Sequence, residues 1–456
     1  MKTKILIFLL FSNLFGGSSA HSGGHHVPEL SLFYVLPFIG MLLSIAVLPL
    51  VSHHFWEKNY GKIAVFWALA FYIPFLIIEQ DFNFAVHEFF KVMLTEYFPF
   101  IILLFSLYTI SGGILLRGSL VGSPKVNTII LAIGTCFASL MGTTGAAMLL
   151  IRPLIRANKG RKHKVHTMIF FIFLVANIGG SLTPLGDPPL FIGFLKGIDF
   201  FWTTQHMLSS MLFVSAILMI LFYFIDTYYY NQELDNRPFK GPINFSIEGK
   251  INFLLLLGVI SSVILSGIYQ NDFKPLLLFD NKLPISFLLR DIMLLSLGII
   301  SYKITSMDLR KENGFSWFPI MEVAKLFAGI FITVIPALSI LGKNEEAFSS
   351  LSSNMYFWLT GSLSGFLDNA PTYLVFFTST GKTPTQLMNG SSEFLLAIST
   401  GAVFMGAMTY IGNAPNFMVR SIAEENGIKM PSFFGYMAWS CLILIPIFLA
   451  YSKWWF

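Results

Sequence analysis

From about residue 31 to the end of the chain, long apolar stretches alternate with short polar intervals. Stretches of bilayer-spanning length fall at 31–51, 63–80, 98–116, 167–195, 206–225, 251–268, 284–303, 318–342, 393–417 and 433–452. They predict ten crossings as α-helices, because a helix needs roughly 20 apolar residues to traverse the hydrocarbon layer. Two further apolar segments, 126–155 and 348–377, are interrupted at Gly142-Thr143-Thr144-Gly145 and at Leu367-Asp368-Asn369-Ala370-Pro371. Each is read either as one broken helix or as a hairpin that re-enters on the side it left.

The basic residues choose between these readings. Lys and Arg concentrate in cytoplasmic loops. With the N-terminus outside and both broken segments folded as hairpins, the clusters Lys58/Lys62, Arg117/Lys125, 152–164, 237–250 and 303–311 all face the inside. The outside keeps the scattered Lys91, Lys196, Lys274, Lys282, Lys343, Lys382 and Lys453. A full crossing at 126–155 would put the first hairpin's two flanking clusters on opposite faces.

The polar stretch 226–250 divides the chain into 31–225 and 251–456, each with five crossings and one hairpin. An odd number of crossings inverts the second half relative to the first. At a shift of 226 residues the run from Gly180 to Phe191, which contains Thr183-Pro184-Leu185-Gly186-Asp187-Pro188, aligns with the run from Gly406 to Phe417, which contains Thr409-Tyr410-Ile411-Gly412-Asn413. The hairpin breaks align at nearly the same shift. The expected fold is therefore an all-α polytopic membrane protein built of two inverted repeats, with a re-entrant hairpin and a discontinuous helix in each half. Such repeats are a pointer to secondary transporters.

Composition agrees with the pattern. Only 12% of residues are charged and 55% are hydrophobic, with 49 Phe and 16 Tyr. That charge is about half a soluble domain's share, and the aromatics exclude disorder. The formal net charge of +5 reflects inner-face lysines and arginines rather than a nucleic-acid surface. Residues 1–20 read as a cleavable signal peptide: Lys2 and Lys4, an apolar run from Ile5 to Phe15, then Ser18-Ser19-Ala20. Residues 21–30 follow as a His/Gly-rich periplasmic tail in which His21, His25 and His26 are read as solvated. Cys136 and Cys441 form no disulfide or zinc pattern. Lys382-Thr383 lacks the upstream glycine of a phosphate loop, and His87-Glu88 lacks the second histidine of a zinc protease, since Lys91 stands there. No enzymatic activity and no cofactor are expected.

The chemistry is expected at the breaks. Lipid cannot satisfy bare backbone, so unwound segments survive only where protein or water surrounds them. Gly142, Gly145, Gly186 and Gly412 free the chain to turn, and Pro184 and Pro371 forbid a continuous helix. Thr143, Thr144, Thr183, Thr409, Asn369 and Asn413 supply neutral oxygens that suit a small hard cation. Asp187 and Asp368 are the two acids inside the breaks. A carboxylate at bilayer depth is costly and is by default a functional candidate. It can hold a proton or a cation and resists holding both. No Lys or Arg lies in any break. Glu322 and Lys325 read as an interfacial pair, and Arg290 and Asp291, near the outer end of their crossing, as snorkelling charges.

The Thr183–Asp187 run, the Leu367-Asp368-Asn369 run and the two-hairpin layout resemble the ion transporter superfamily, which includes NhaD-type sodium/proton antiporters, citrate and dicarboxylate carriers and arsenite permeases. The resemblance implies exchange of sodium or lithium for protons, with Asp187, Thr183, Asp368 and Asn369 as binding candidates. It further implies a homodimer with elevator-like or rocking alternating access; the leading expectation is a bacterial inner-membrane protein, and the signal peptide and the placement of the basic residues give both termini as periplasmic. The expected partners are the transported monovalent cation, the proton and lipid, with no nucleic acid. A sodium- or proton-coupled citrate or dicarboxylate carrier is the alternative. Dicarboxylate carriers have Ser-Asn-Thr at their hairpin tips, where this chain has Gly-Thr-Thr-Gly and Leu-Asp-Asn-Ala.

Overall fold

The computed structural model describes residues 30–456 apart from 80–81, 119, 234–244, 271, 280, 344–347 and 349. The signal peptide, the histidine tail up to residue 29 and residues 234–244 of the 226–250 linker lie outside the described residues. Nine described helices are long and apolar enough to cross a membrane, or ten if Phe318–Thr333 and Ile335–Leu341, bent by 41°, form one span. The protein is an all-helical, multi-pass membrane protein.

The first half comprises α1 (Leu36–Val51), α2 (His53–Glu79), α3 (Phe82–Val92), α4 (Phe98–Ser111), α5 (Pro124–Met141), α6 (Thr143–Ala157), α7 (Val165–Leu174), α8 (Pro188–Leu195) and α9 (Trp202–Gln232). The second comprises α10 (Ile251–Ile268), α11 (Ile285–Ile304), α12 (Met307–Glu312), α13 (Phe318–Thr333), α14 (Ile335–Lys343), α15 (Ser353–Phe366), α16 (Asn369–Ser379), α17 (Pro384–Asn389), α18 (Ser392–Met405), α19 (Ala414–Glu425) and α20 (Phe433–Trp455). A π turn, Met93–Tyr97, joins α3 to α4, so the span foreseen at 98–116 begins well before residue 98.

Both interrupted segments fold as helical hairpins. Gly142, at φ 80°, turns the chain between α5 and α6 in a region that favours glycine. The far ends then meet: Gly122 N–H donates to Ala157 O at 2.8 Å, and Asn127 and Asn158 exchange amide hydrogen bonds at 2.8 and 2.9 Å. In the second hairpin Asp368 caps α16, accepting from Ala370 N–H at 3.1 Å. Tyr356 near the start of α15 reaches Ser379 O at the end of α16.

Two of the expected crossings are discontinuous. Stretch 167–195 runs through α7, a 3-10 turn at Ile178–Leu182 and α8; stretch 393–417 runs through α18, a 3-10 turn at Gly406–Met408 and α19. In each, a proline in the first turn, Pro188 or Pro415, starts the second helix where no N–H is needed. α5 and α9 pack on the first turn, α15 packs along α18, α4 along α11, and α2 along α13.

Two features were not foreseen. An antiparallel ribbon pairs β1 (Leu115–Gly118) with β2 (Phe245–Glu248), Leu115 facing Glu248, and Arg117 binds Glu248 and Glu312 across it. The basic run 152–164, expected on the inner face, is also partly buried. Arg161 and Asp226, with side chains 1% and 0% exposed, form an ion pair at 2.6 Å. His166 Nε2 meets the same carboxylate at 2.7 Å, and Asn127 donates to its other oxygen at 2.9 Å. This pins the base of the first hairpin to the end of α9. Removing Asp226 leaves buried Arg161 with the longer, 3.4 Å ion pair to Glu233, so Asp226→Ala should cost about 3 kcal/mol in unfolding of the detergent-purified protein. Replacing the exposed Lys159 by Ala should stay within about 0.5 kcal/mol.

Candidate functional site

The four breaks converge on one carboxylate. Asp187 stands just before α8 and is 1% exposed. Its Oδ1 accepts from Thr143 Oγ1 at 3.1 Å and from Asn413 Nδ2 at 2.9 Å; its Oδ2 accepts from Asn369 Nδ2 at 2.5 Å. Thr143 opens α6, Asn369 opens α16 and Asn413 precedes α19. The tips of both hairpins and both broken helices therefore each give one side chain to the cluster.

The other candidates have local partners. Thr183 Oγ1 donates to Ser139 O and accepts from Leu185 N–H at 3.2 Å. Thr409 Oγ1 donates to Gly365 O at 2.6 Å and accepts from Ile411 N–H at 3.1 Å. These threonines hold the break loops against the hairpins. Asp368 is half-buried at the cap of α16, next to Asn369. Thr144 and Pro184 line the cavity beside Asp187. Pro371 is buried in the first turn of α16.

The two halves repeat this wiring. Thr183 bonds a carbonyl 44 residues earlier in the chain, as does Thr409; Thr143 and Asp187 are also 44 residues apart. Glycines permit the tight crossing. A Cβ on Gly186 would stand 2.0 Å from Gly180 O, and one on Gly412 would stand 2.5 Å from Gly406 O. A Cβ on Gly145 would meet Ser111 Oγ at 2.4 Å.

A buried asparagine pair escaped the sequence reading. Asn177 Nδ2 donates to Asn416 Oδ1 at 2.7 Å, and Asn416 Nδ2 donates to Gly406 O and Thr409 O, both at 2.8 Å. Asn413 Nδ2 also lies 3.3 Å from Asn177 Oδ1. The pair ties the break of one half to that of the other. Asn416 belongs to the aligned run, and Asn177 directly precedes the turn at Ile178–Leu182, which is the signal that could have marked them.

Asp187 borders a cavity of about 80 Å³ between the first hairpin and the helices α4 and α13. By volume it holds a few waters or a hydrated ion. Its lining includes Thr143, Thr144, Asp187, Phe191 and Tyr108; Asp187 is its acidic group, and no Lys or Arg lines it. One polar atom of the cluster has no partner: Asn369 Oδ1 is buried without a hydrogen bond.

Broken helices that meet around a buried carboxylate inside a multi-pass bundle define a membrane transport protein. Residues 27–456 match the model of the CitMHS_2 family, described as "Putative citrate transport". The chain belongs to that family, a family of secondary transporters. No curated protein matches the chain.

The glycine contacts give a direct check. Gly186→Ala should abolish recovery of monodisperse protein by size-exclusion chromatography, since the obstructing atom is backbone. Gly427→Ala, at φ 76° with nothing within 4 Å of the added Cβ, should fold and lose only about 1–2 kcal/mol.

Proposed function

We propose that Asp187 is the group at which a monovalent cation and a proton compete, and that the chain is a sodium (or lithium)/proton antiporter. The carrying observation is a buried carboxylate whose hydrogen-bond partners, Thr143, Asn369 and Asn413, are all neutral. A lone buried carboxylate is expensive as an anion unless it is paired or protonated. A proton removes that cost, and so does a bound cation. The unpartnered Asn369 Oδ1 and the hydroxyl of Thr143 are further hard-oxygen ligands, and rotation of the asparagine amides turns their carbonyls toward an arriving ion. One proton leaves the carboxyl as one cation takes its place, so charge at the site is conserved. Asp368, at the adjoining cap, is proposed as a second carboxylate on the ion's route, and Thr183 and Thr409 as holders of the loops that carry the ligands.

The matched wiring of the two breaks supports inverted repeats spanning 31–225 and 251–456 as the frame for alternating access. The resemblance of the break motifs supports a homodimer in a bacterial inner membrane, and the distribution of Lys and Arg supports periplasmic termini.

The family's description favours a second reading, a citrate or dicarboxylate carrier driven by sodium or protons through Asp187. Its anion would sit against the cation, with the N-termini of α8, α16 and α19 contributing their positive dipole ends.

In everted vesicles, addition of sodium or lithium should dequench a pH-sensitive dye, and Asp187→Asn should abolish the response. Competition for one carboxylate fixes the sign of the pH effect. As pH falls through the range where the cation-free site is protonated, apparent sodium affinity should weaken by up to about tenfold per unit. No dequenching with either ion, together with sodium-driven uptake of radiolabelled citrate, would replace antiport by the second reading. Thr143→Val should weaken sodium binding by about tenfold, the loss of one ligand-scale interaction of roughly 1.4 kcal/mol.

A further inference from the structure

Arg290 is not the snorkelling charge that its place near a helix end suggests. It lies in α11 with 1% exposure. Its Nε donates to Asp291 Oδ1 at 2.8 Å, while Nη1 and Nη2 are buried without a hydrogen-bond partner. A guanidinium has five donors in a planar fork and cannot shed its charge. Leaving two of its nitrogens dry and unpaired is costly, and Asp291 serves only the Nε edge.

The surroundings show where those nitrogens sit relative to the cavity. Cζ of Arg290 stands 4.6 Å from the Phe287 ring centroid and 5.6 Å from that of Phe191. Phe191 is one turn along α8 from Asp187, its N–H directed to Asp187 O at 3.4 Å, and it lines the Asp187 cavity. Phe191 therefore touches both sides: it lines the cavity and packs beside a guanidinium with unused donors. Among the described residues no cationic side chain lines the cavity, so besides the partial charges of the helix N-termini the full positive charges near an organic anion there are a cation held at Asp187 and the guanidinium beside Phe191.

On the carboxylate reading, we propose that Arg290 is the anion-binding and specificity-determining group, taking one carboxylate of a di- or tricarboxylate on Nη1 and Nη2 when Phe191 swings aside and enlarges the cavity beyond its present few-water size. The planar fork matches a carboxylate in bidentate fashion. A second carboxylate of the same molecule lies toward the cation at Asp187, so the two ends of the cavity select for more than one carboxylate. This rests on the carboxylate reading above. A purely structural arginine, held by Asp291 and the two rings, would affect folding and leave anion affinity alone.

The test is calorimetric titration of the purified full-length protein with sodium, then with citrate, succinate and acetate in saturating sodium. Wild type should bind citrate and succinate well above acetate. Arg290→Gln should bind sodium unchanged and lose citrate affinity by about 100-fold, and Arg290→Lys, which keeps charge and stem, by about tenfold. Should the Gln variant fail to fold, the Lys variant decides. Wild-type citrate affinity in a folded variant overturns the role of Arg290 while the carboxylate reading stands. Sodium binding with no carboxylate binding in wild type overturns both and leaves the antiport reading.

Discussion

The structure depends on one constraint: a carboxylate buried inside the helical bundle must be satisfied without a permanent cation. Asp187 meets it with three neutral donors drawn from three other breaks in the helices. Each donor needs its own interrupted helix, because an intact helix keeps its N-terminal side chains on its flank and its backbone closed on itself. The breaks in turn need glycine where backbones cross within a Cβ's reach and proline where the next helix restarts. The unusual backbone of this protein thus follows from the surroundings of a single side chain.

On the proposed reading, neutral satisfaction is also what makes the site exchangeable. A fixed Lys or Arg beside Asp187 would hold the carboxylate ionised and occupy the place of a cation. Hydrogen bonds from Thr and Asn are individually modest and reversible, and they leave the carboxyl able to pass between protonated and cation-bound forms. The contrast with Asp226 is instructive. That carboxylate is equally buried but locked between Arg161, His166 and Asn127, which suits an anchor at the foot of a hairpin and leaves no room for an ion.

Much of this was legible in the sequence, and for stated reasons. Spanning length and scarce charge marked the helices, the basic clusters marked the hairpins, and Gly and Pro at a 226-residue shift marked the breaks. Asp187, Thr143, Asn369 and Asn413 were all among the residues singled out at those breaks. What pattern alone did not separate was their partners. Thr183 and Thr143 look alike in sequence, yet one holds a loop carbonyl and the other faces the carboxylate, a distinction set by which way a break turns. Arg290 read as a snorkelling charge and Arg161 as part of an inner-face basic run, because spacing along the chain does not reveal which neighbour covers a side chain. The β1–β2 ribbon joins segments far apart in the chain, and nothing in either four-residue strand announces the other.

The central claim is that cation and proton exchange at Asp187, and proton release on cation binding tests it most directly. In weakly buffered detergent solution, sodium added to the purified protein should release on the order of one proton per site at a pH where the cation-free carboxyl is protonated, and Asp187→Asn should release none. Undiminished proton release from the Asp187→Asn protein, or sodium binding to wild type without any proton release across the pH range, would contradict the account.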